Sequence, residues 1–293
     1  MKLKLLTGAS ALTLGMLVAS AASAADLTRP ATMPTPDPGI VGYLDLHGGG
    51  EADTVTFEGL DPNTYSYGII GGSGRGVIDI SPTMSTQLDA WFDTFVESSG
   101  GAGSTSSDSG VAGHLTWHPS EQDSIGVLGS IGTAAYLGGI MGNVGIEAAR
   151  DFGNWRLYGQ AGVSRGLSGE ASDRDVSDLY ATLAADYFVD PNLMLSGNIG
   201  VDRLSYDSGT EGAELSWGAK VEFKPDMSPV SFYLSYEGFG WDDTRDGAAY
   251  EHAVEHTFLA GIRIPFGTDS LQNLQNRVGL SDMNPIFGDF TNH

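Results

Sequence analysis

The chain of 293 residues contains no cysteine. That excludes a disulfide framework. Beyond the N-terminus, no stretch approaches the ~20 apolar residues that a membrane helix needs. Basic residues are scarce: 14 Lys and Arg stand against 37 Asp and Glu, a formal charge of −23. Nucleic-acid binders carry basic patches, so no nucleic-acid partner is expected. An acidic balance suits a surface that faces cations or is bridged by them.

What is present begins with an export signal. Lys2 and Lys4 form a basic start, Ala11 to Val18 a short apolar core, and Ala22-Ser23-Ala24 a small-x-small cleavage site. Residues 1–24 thus read as a secretory signal peptide. Residues 25–38 carry Pro30, Pro34, Pro36 and Pro38 and read as an extended linker. The remainder is either soluble and exported, or crosses a membrane by strands. Its share of the 42 glycines, with aromatics, suits strands and turns.

From Ile40 onward, apolar residues alternate with polar or small ones, the period of a strand. His256 to Phe266 shows it best: Phe258, Ala260, Ile262, Ile264 and Phe266 fall on one side, and Thr257, Gly261 and Arg263 on the other. Leu259 is the apolar exception. The same alternation places Asp45, Arg75, Asp79, Asp89, Asp93, Glu147, Arg156, Asp186, Asp202, Glu214, Lys220, Glu222, Glu237 and Arg263 on one face. Short turns precede Thr86, Ser124, Trp155, Leu193 and Val230, with longer acidic or glycine-rich loops between them. Trp117, Trp155, Tyr187, Phe223, Phe232 and Phe266 collect on the apolar face at the short-turn end. Sorted connections and an aromatic belt are marks of a membrane barrel. The expected fold is all-β: a closed antiparallel transmembrane β-barrel over residues 39–267. It has about 12 strands, short periplasmic turns and longer outer loops. Ten and fourteen strands are the nearest rivals, with Tyr65 to Gly76 and the strand after Ser124 the least certain stretches.

Several runs carry a family resemblance. Gly71-Gly72-Ser73-Gly74-Arg75 through Gln87-Leu88-Asp89, Gly113-His114-Leu115-Thr116-Trp117 and Asn154-Trp155-Arg156-Leu157-Tyr158-Gly159-Gln160 resemble the small porin-like outer-membrane proteins of alphaproteobacteria. The pattern Gly261-x-x-Ile264-x-Phe266 resembles the closing-strand signal read by the barrel assembly machinery. The resemblance implies a Gram-negative outer-membrane location, among outer-membrane lipids and lipopolysaccharide, and leaves transport undecided. Residues 268–293 form a polar tail. In it Leu271, Leu274 and Val278 recur at helical spacing after Ser270, a candidate N-cap. The tail reads as a short periplasmic helix or as a plug.

Candidate chemistry is sparse. His252-x-x-Glu255-His256 matches an inverted zinc-peptidase pattern, but that chemistry needs a helix and this stretch leads into a strand. Asp242-x-Thr244-x-Asp246-Gly247 resembles the opening of a calcium loop, yet its twelfth position is Ala253, which offers no ligand. Gly72-Ser73-Gly74-Arg75-Gly76 lacks the Lys-Ser/Thr of a phosphate loop. No catalytic residues, metal site or cofactor are expected. The expected function is a porin-like barrel, a narrow cation-preferring channel for small solutes, with the fourteen residues above facing the lumen. Glu51, Asp53, Asp173, Asp175, Asp242 and Asp243 are expected in loops at its mouth. The alternative is a structural or adhesive barrel whose acidic loops bind divalent cations; a lipid-modifying enzyme ranks third. Arg150 and Arg203 share parity with lipid-facing residues near strand ends, where arginine can meet lipid phosphate. The expected state is a monomer.

Overall fold

A computed structural model describes residues 39–97, 105–134, 138–206, 210–245 and 248–278. The signal peptide, the linker and the tail beyond residue 278 lie outside the described residues. Twelve strands close into one antiparallel barrel. They are β1 (Val41–Phe57), β2 (Asn63–Ser81), β3 (Met84–Glu97), β4 (Thr105–Trp117), β5 (Asp123–Ala134), β6 (Gly139–Phe152), β7 (Trp155–Ser168), β8 (Ser177–Asp190), β9 (Leu193–Ser205), β10 (Thr210–Phe223), β11 (Ser231–Arg245) and β12 (Ala248–Phe266). Each strand pairs with its sequence neighbours, and β12 closes on β1 from Gly42↔Phe266 to Phe57↔Glu251. Closure leaves no unpaired edge, which hydrocarbon would penalise. The two least certain stretches are the single strands β2 and β5. Among the described residues, two short helices accompany the barrel: α1 (Gly169–Asp173) between β7 and β8, and α2 (Leu271–Arg277) after β12.

Alternation decides which side faces what. Leu44, Leu46, Leu88, Phe92, Val144, Ile146, Leu234 and Phe258 are exposed, while the interleaved Asp45, His47, Asp89, Asp93, Glu147 and Ser235 are buried. This inverts a soluble protein. An apolar wall of this extent belongs against lipid. Leu259, the exception in the closing strand, is buried on the inner face. The aromatic belt holds together in register: Trp155 lies opposite Tyr187 with ring centroids 4.7 Å apart, and Phe223 lies opposite Phe232. The turns at this end are tight. Between β6 and β7, Gly153 adopts φ 66°, which glycine tolerates without strain.

The other end differs from expectation. Much of what reads as outer loop is strand. β1 continues through its acidic, glycine-containing segment to Phe57, and β12 already begins at Ala248. Glu51, Asp53, Asp242 and Asp243 are therefore wall residues rather than loop residues. Asp173 ends α1, and Asp175 lies in the connection that follows. Backbone hydrogen bonds between neighbouring strands hold these hairpins, and that pairing needs no apolar period. A reading built on apolar alternation misses it.

Inside the wall, bulky groups lie over small ones on the adjacent strand. Tyr233 faces Gly261 in register, and a Cβ on Gly261 would overlap the Tyr233 ring. A glycine in the closing strand thus makes room for an inward aromatic.

Candidate functional site

The interior is built in levels, starting at the short turns. Ser270 caps α2, its hydroxyl accepting from the Asn273 backbone N–H. Asn273 also donates to Asp269 (2.8 Å), which holds that exposed carboxyl below its usual range. Leu274 and Val278 pack on Val41, Tyr43 and Val77, while Leu271 packs on Phe188 and Met194. Those partners come from β1 and β2 on one side and β8 and β9 on the other, so α2 lies across the short-turn mouth. Polar contacts fasten it. Arg277 donates to Asp79 (2.7 Å), Lys224 to the Asp269 carbonyl (2.9 Å) and Gln272 to the Gly153 carbonyl (2.9 Å). α2 is thus a short helix at the spacing of Leu271, Leu274 and Val278, seated on the ends of β1, β2, β8 and β9.

Above α2 lies a layer of ion pairs. Arg263 donates to Glu222 (2.9 Å) and stands 3.5 Å from Asp45. Its guanidinium stacks over the Tyr43 ring at 4.1 Å. Glu222 also accepts from Ser231 (2.6 Å) and lies 3.8 Å from Lys220. Tyr233 donates to Asp45 (2.9 Å). Arg75 donates to Asp89 (3.0 Å), and Arg156 to Asp151 (3.2 Å). His47 bridges Asp45 (3.0 Å) and Asp93 (2.6 Å), and His114 bridges Glu147 (2.9 Å) and Asp89 (3.4 Å). Asp186 takes a short hydrogen bond from Ser196. Glu222 and Asp186 are 0 % exposed and Arg263 1 %. At this level the lumen is filled by its own side chains.

The upper wall is acidic. Asp202 on β9 sits opposite Glu214 on β10, with Asp178 diagonal on β8. All three are buried and meet polar groups rather than cations: Asp178 faces the Ser164 hydroxyl, and Asp202 faces Glu214. Asp53 on β1 sits opposite Glu255 on β12. Among the described residues, no salt bridge joins Asp53, Asp178, Asp202, Glu214 or Glu255 to a basic side chain. Over part of this level, the α1 connection folds inward. Ala171 and Val176 pack with Trp91, Ala112, Met141 and Leu204. On the β1–β12 side, Glu51, Asp53, Glu237 and Glu255 are half-buried.

Of the residues expected to face the lumen, Asp45, Arg75, Asp89, Asp93, Glu147, Arg156, Asp186, Asp202, Glu214, Lys220, Glu222 and Arg263 are buried, and Asp79 and Glu237 half-buried. The structure joins Arg263, Asp45, Glu222 and Lys220 in one cluster and Arg75 with Asp89 in another. Asp79 belongs instead to the seat of α2. Tyr43, Tyr233 and Asp178 are not among the fourteen, although each has inward parity, and Glu255 stands in the sequence only as part of the zinc-like motif. Distance between strands, which parity does not give, makes Tyr43 and Tyr233 partners of Arg263 and Asp45. The zinc-like motif dissolves on β12: Glu255 projects to the face opposite His252 and His256. His252 instead meets Asp242 at 2.7 Å. Asp246 and Gly247 of the calcium-like stretch lie outside the described residues. Among the described residues, no three His, Asp or Glu side chains are grouped as a metal ion requires.

No protein-family model matches the chain, and no curated protein matches it. Solved structures do. An outer-membrane channel from Pseudomonas putida F1 aligns with TM-score 0.55 at 11% identity, covering 82% of this chain and 100% of that one. The β domain of the Bordetella autotransporter BrkA aligns at 0.47 and 15% identity, covering 78% and 99%. The NanC porin aligns at 0.45 and 10% identity, covering 75% and 98%. With the closed topology and the apolar outer face, the first of these establishes the fold of an outer-membrane β-barrel.

Proposed function

We propose that the protein is a non-catalytic, porin-like barrel of the Gram-negative outer membrane that passes small cations through a narrow, gated lumen. One observation supports the reading: the basic side chains of the interior sit low in ion pairs, while Asp178, Asp202 and Glu214 of the upper wall meet no basic side chain. Fixed carboxylates in a confined, low-dielectric wall attract cations and repel anions. The ion-pair layer and α2 close the short-turn end, so conduction requires α2 to leave and the ion-pair layer to part. Recordings across a KCl gradient should give a cation-selective reversal potential that weakens as salt rises. Asp202→Asn with Glu214→Gln should reduce it. Deleting residues 269–293 should leave a barrel that still shifts on heat-modifiable gels and conducts more than the full chain. An anion-selective potential would overturn the reading.

The same closure supports a second reading, a structural barrel that conducts nothing. Silence from both the full chain and the truncated one would favour it.

A further inference from the structure

The outer face of the wall holds a feature that the lumen does not explain. A groove of about 940 Å³ runs over β5 to β9. Ile131, Val144, Val163 and Leu179 line it, all exposed on the apolar face. Arg165, Ser177, Arg203 and Ser205 also line it. Register fixes how these meet. Arg165 on β7 lies opposite Ser177 on β8, Ser177 lies opposite Ser205 on β9, and Arg203 lies opposite Leu179. Two arginines therefore flank β8 with a serine between them.

Height gives this pair its meaning. Arg165 lies about ten residues beyond Trp155 of the aromatic belt. At ~3.3 Å per residue and a tilt of ~40°, that is roughly 25 Å above the belt, the height of the apolar band. Arg203 stands equally far beyond Leu193, the first residue of β9. Both guanidiniums thus sit where hydrocarbon ends and the outer leaflet's head groups begin. Inside hydrocarbon they would be costly. At its edge, paired arginines match phosphate geometry.

The side chains are accessible and held. Arg165 is 69% exposed and meets Asp175 at 2.6 Å, and Arg203 is 58% exposed and meets Glu211 at 2.7 Å. One carboxylate engages only part of a five-donor guanidinium. Asp175 reaches Arg165 from a left-handed backbone at φ 47°, unusual for a residue other than glycine. A formal charge of −23 disfavours capture of a free anion from solution. A lipid held in the membrane plane is delivered regardless, and the apolar groove below the arginines accepts chains that a free phosphate lacks.

We infer that this face binds a phosphorylated glycolipid of the outer leaflet, its phosphate between Arg165 and Arg203 and an acyl chain in the groove. The inference rests on the outer-membrane reading above. The test uses the full chain in detergent, with native mass spectrometry after adding diphosphorylated lipid A, its dephosphorylated form or phosphatidylglycerol. The wild type should retain the diphosphorylated lipid at least about tenfold over the dephosphorylated one, a comparison that needs no variant. Arg165→Gln with Arg203→Gln should abolish that preference. Equal retention of the two lipid A forms, or an undiminished preference in the variant, would overturn the site. Preferential retention of phosphatidylglycerol would overturn the glycolipid assignment. Heat-modifiable migration is read in parallel: if the wild type neither shifts nor inserts, the membrane reading fails, whereas a shifted barrel without lipid preference fails this site alone.

Discussion

Arg263→Met tests whether the lower interior is held by charge pairing. Arg263 on β12 faces Glu222 on β10 at 2.9 Å and Asp45 on β1 at 3.5 Å. At an effective dielectric of about 20, each contact carries roughly 5 kcal/mol of raw attraction. Desolvation offsets most of this while both partners are present. Methionine keeps much of the volume but strands two buried carboxylates, and removing one member of a buried pair costs ~3–5 kcal/mol. Glu222 keeps Ser231 and a distant Lys220, and Asp45 keeps His47 and Tyr233, so a loss near 3 kcal/mol is expected. Glu222→Gln in the same background should restore part of it, with a coupling of ~1–3 kcal/mol. Urea unfolding in lipid vesicles, followed by tryptophan fluorescence, measures all four corners of the cycle. A loss below ~1 kcal/mol for Arg263→Met, or penalties that simply add, would refute the argument.

Two further outcomes follow from the wall. Trp217→Arg places charge on the lipid face near mid-height and should cost ~2–4 kcal/mol of insertion free energy. Ser216→Asn, one residue away on the inner face, should cost less, and equal damage in a vesicle-insertion assay would reject the assigned faces. Gly261→Val should drive the Tyr233 ring off its site, weaken the Tyr233–Asp45 hydrogen bond and destabilise the barrel by ~1–3 kcal/mol. Combining it with Tyr233→Ala should relieve part of that loss in the same urea titration.

The barrel was legible because lipid imposes a strict period. Leu44, Asp45 and Leu46 can be assigned to opposite faces by counting alone. Residues 48–57 could not be read that way. They rise toward the outer end, where no lipid demands apolar groups, and cross-strand pairing alone makes them strand. The interior was legible as a list and not as a site. Parity puts Asp45, Glu222 and Arg263 inside, but only the closed circle makes β10 and β1 near neighbours through β12. The tail helix was visible in Leu271, Leu274 and Val278. Its seat was not, because Asp79 and Arg277 are 198 positions apart in the chain.

That separation bears on the order in which the molecule can form. Tyr233 and Asp45 are 188 positions apart, and Arg156 reaches the Val278 carbonyl across 122. None of these bonds can exist before nearly the whole chain is present. Pairing of neighbouring strands can proceed locally, and Arg75 can meet Asp89 with it, but the contacts of Asp45 with Arg263 and Tyr233 must wait for β1 to find β12. Until then Asp45 on β1 gains nothing from Arg263 on β12, whose local partner is Glu222, 41 positions away. Contacts of such high order come late and slow the final step. Once made, they must all be broken together for the cylinder to reopen. The charged interior thus acts as a latch, contributing little to the climb toward the closed state and much to the time spent there.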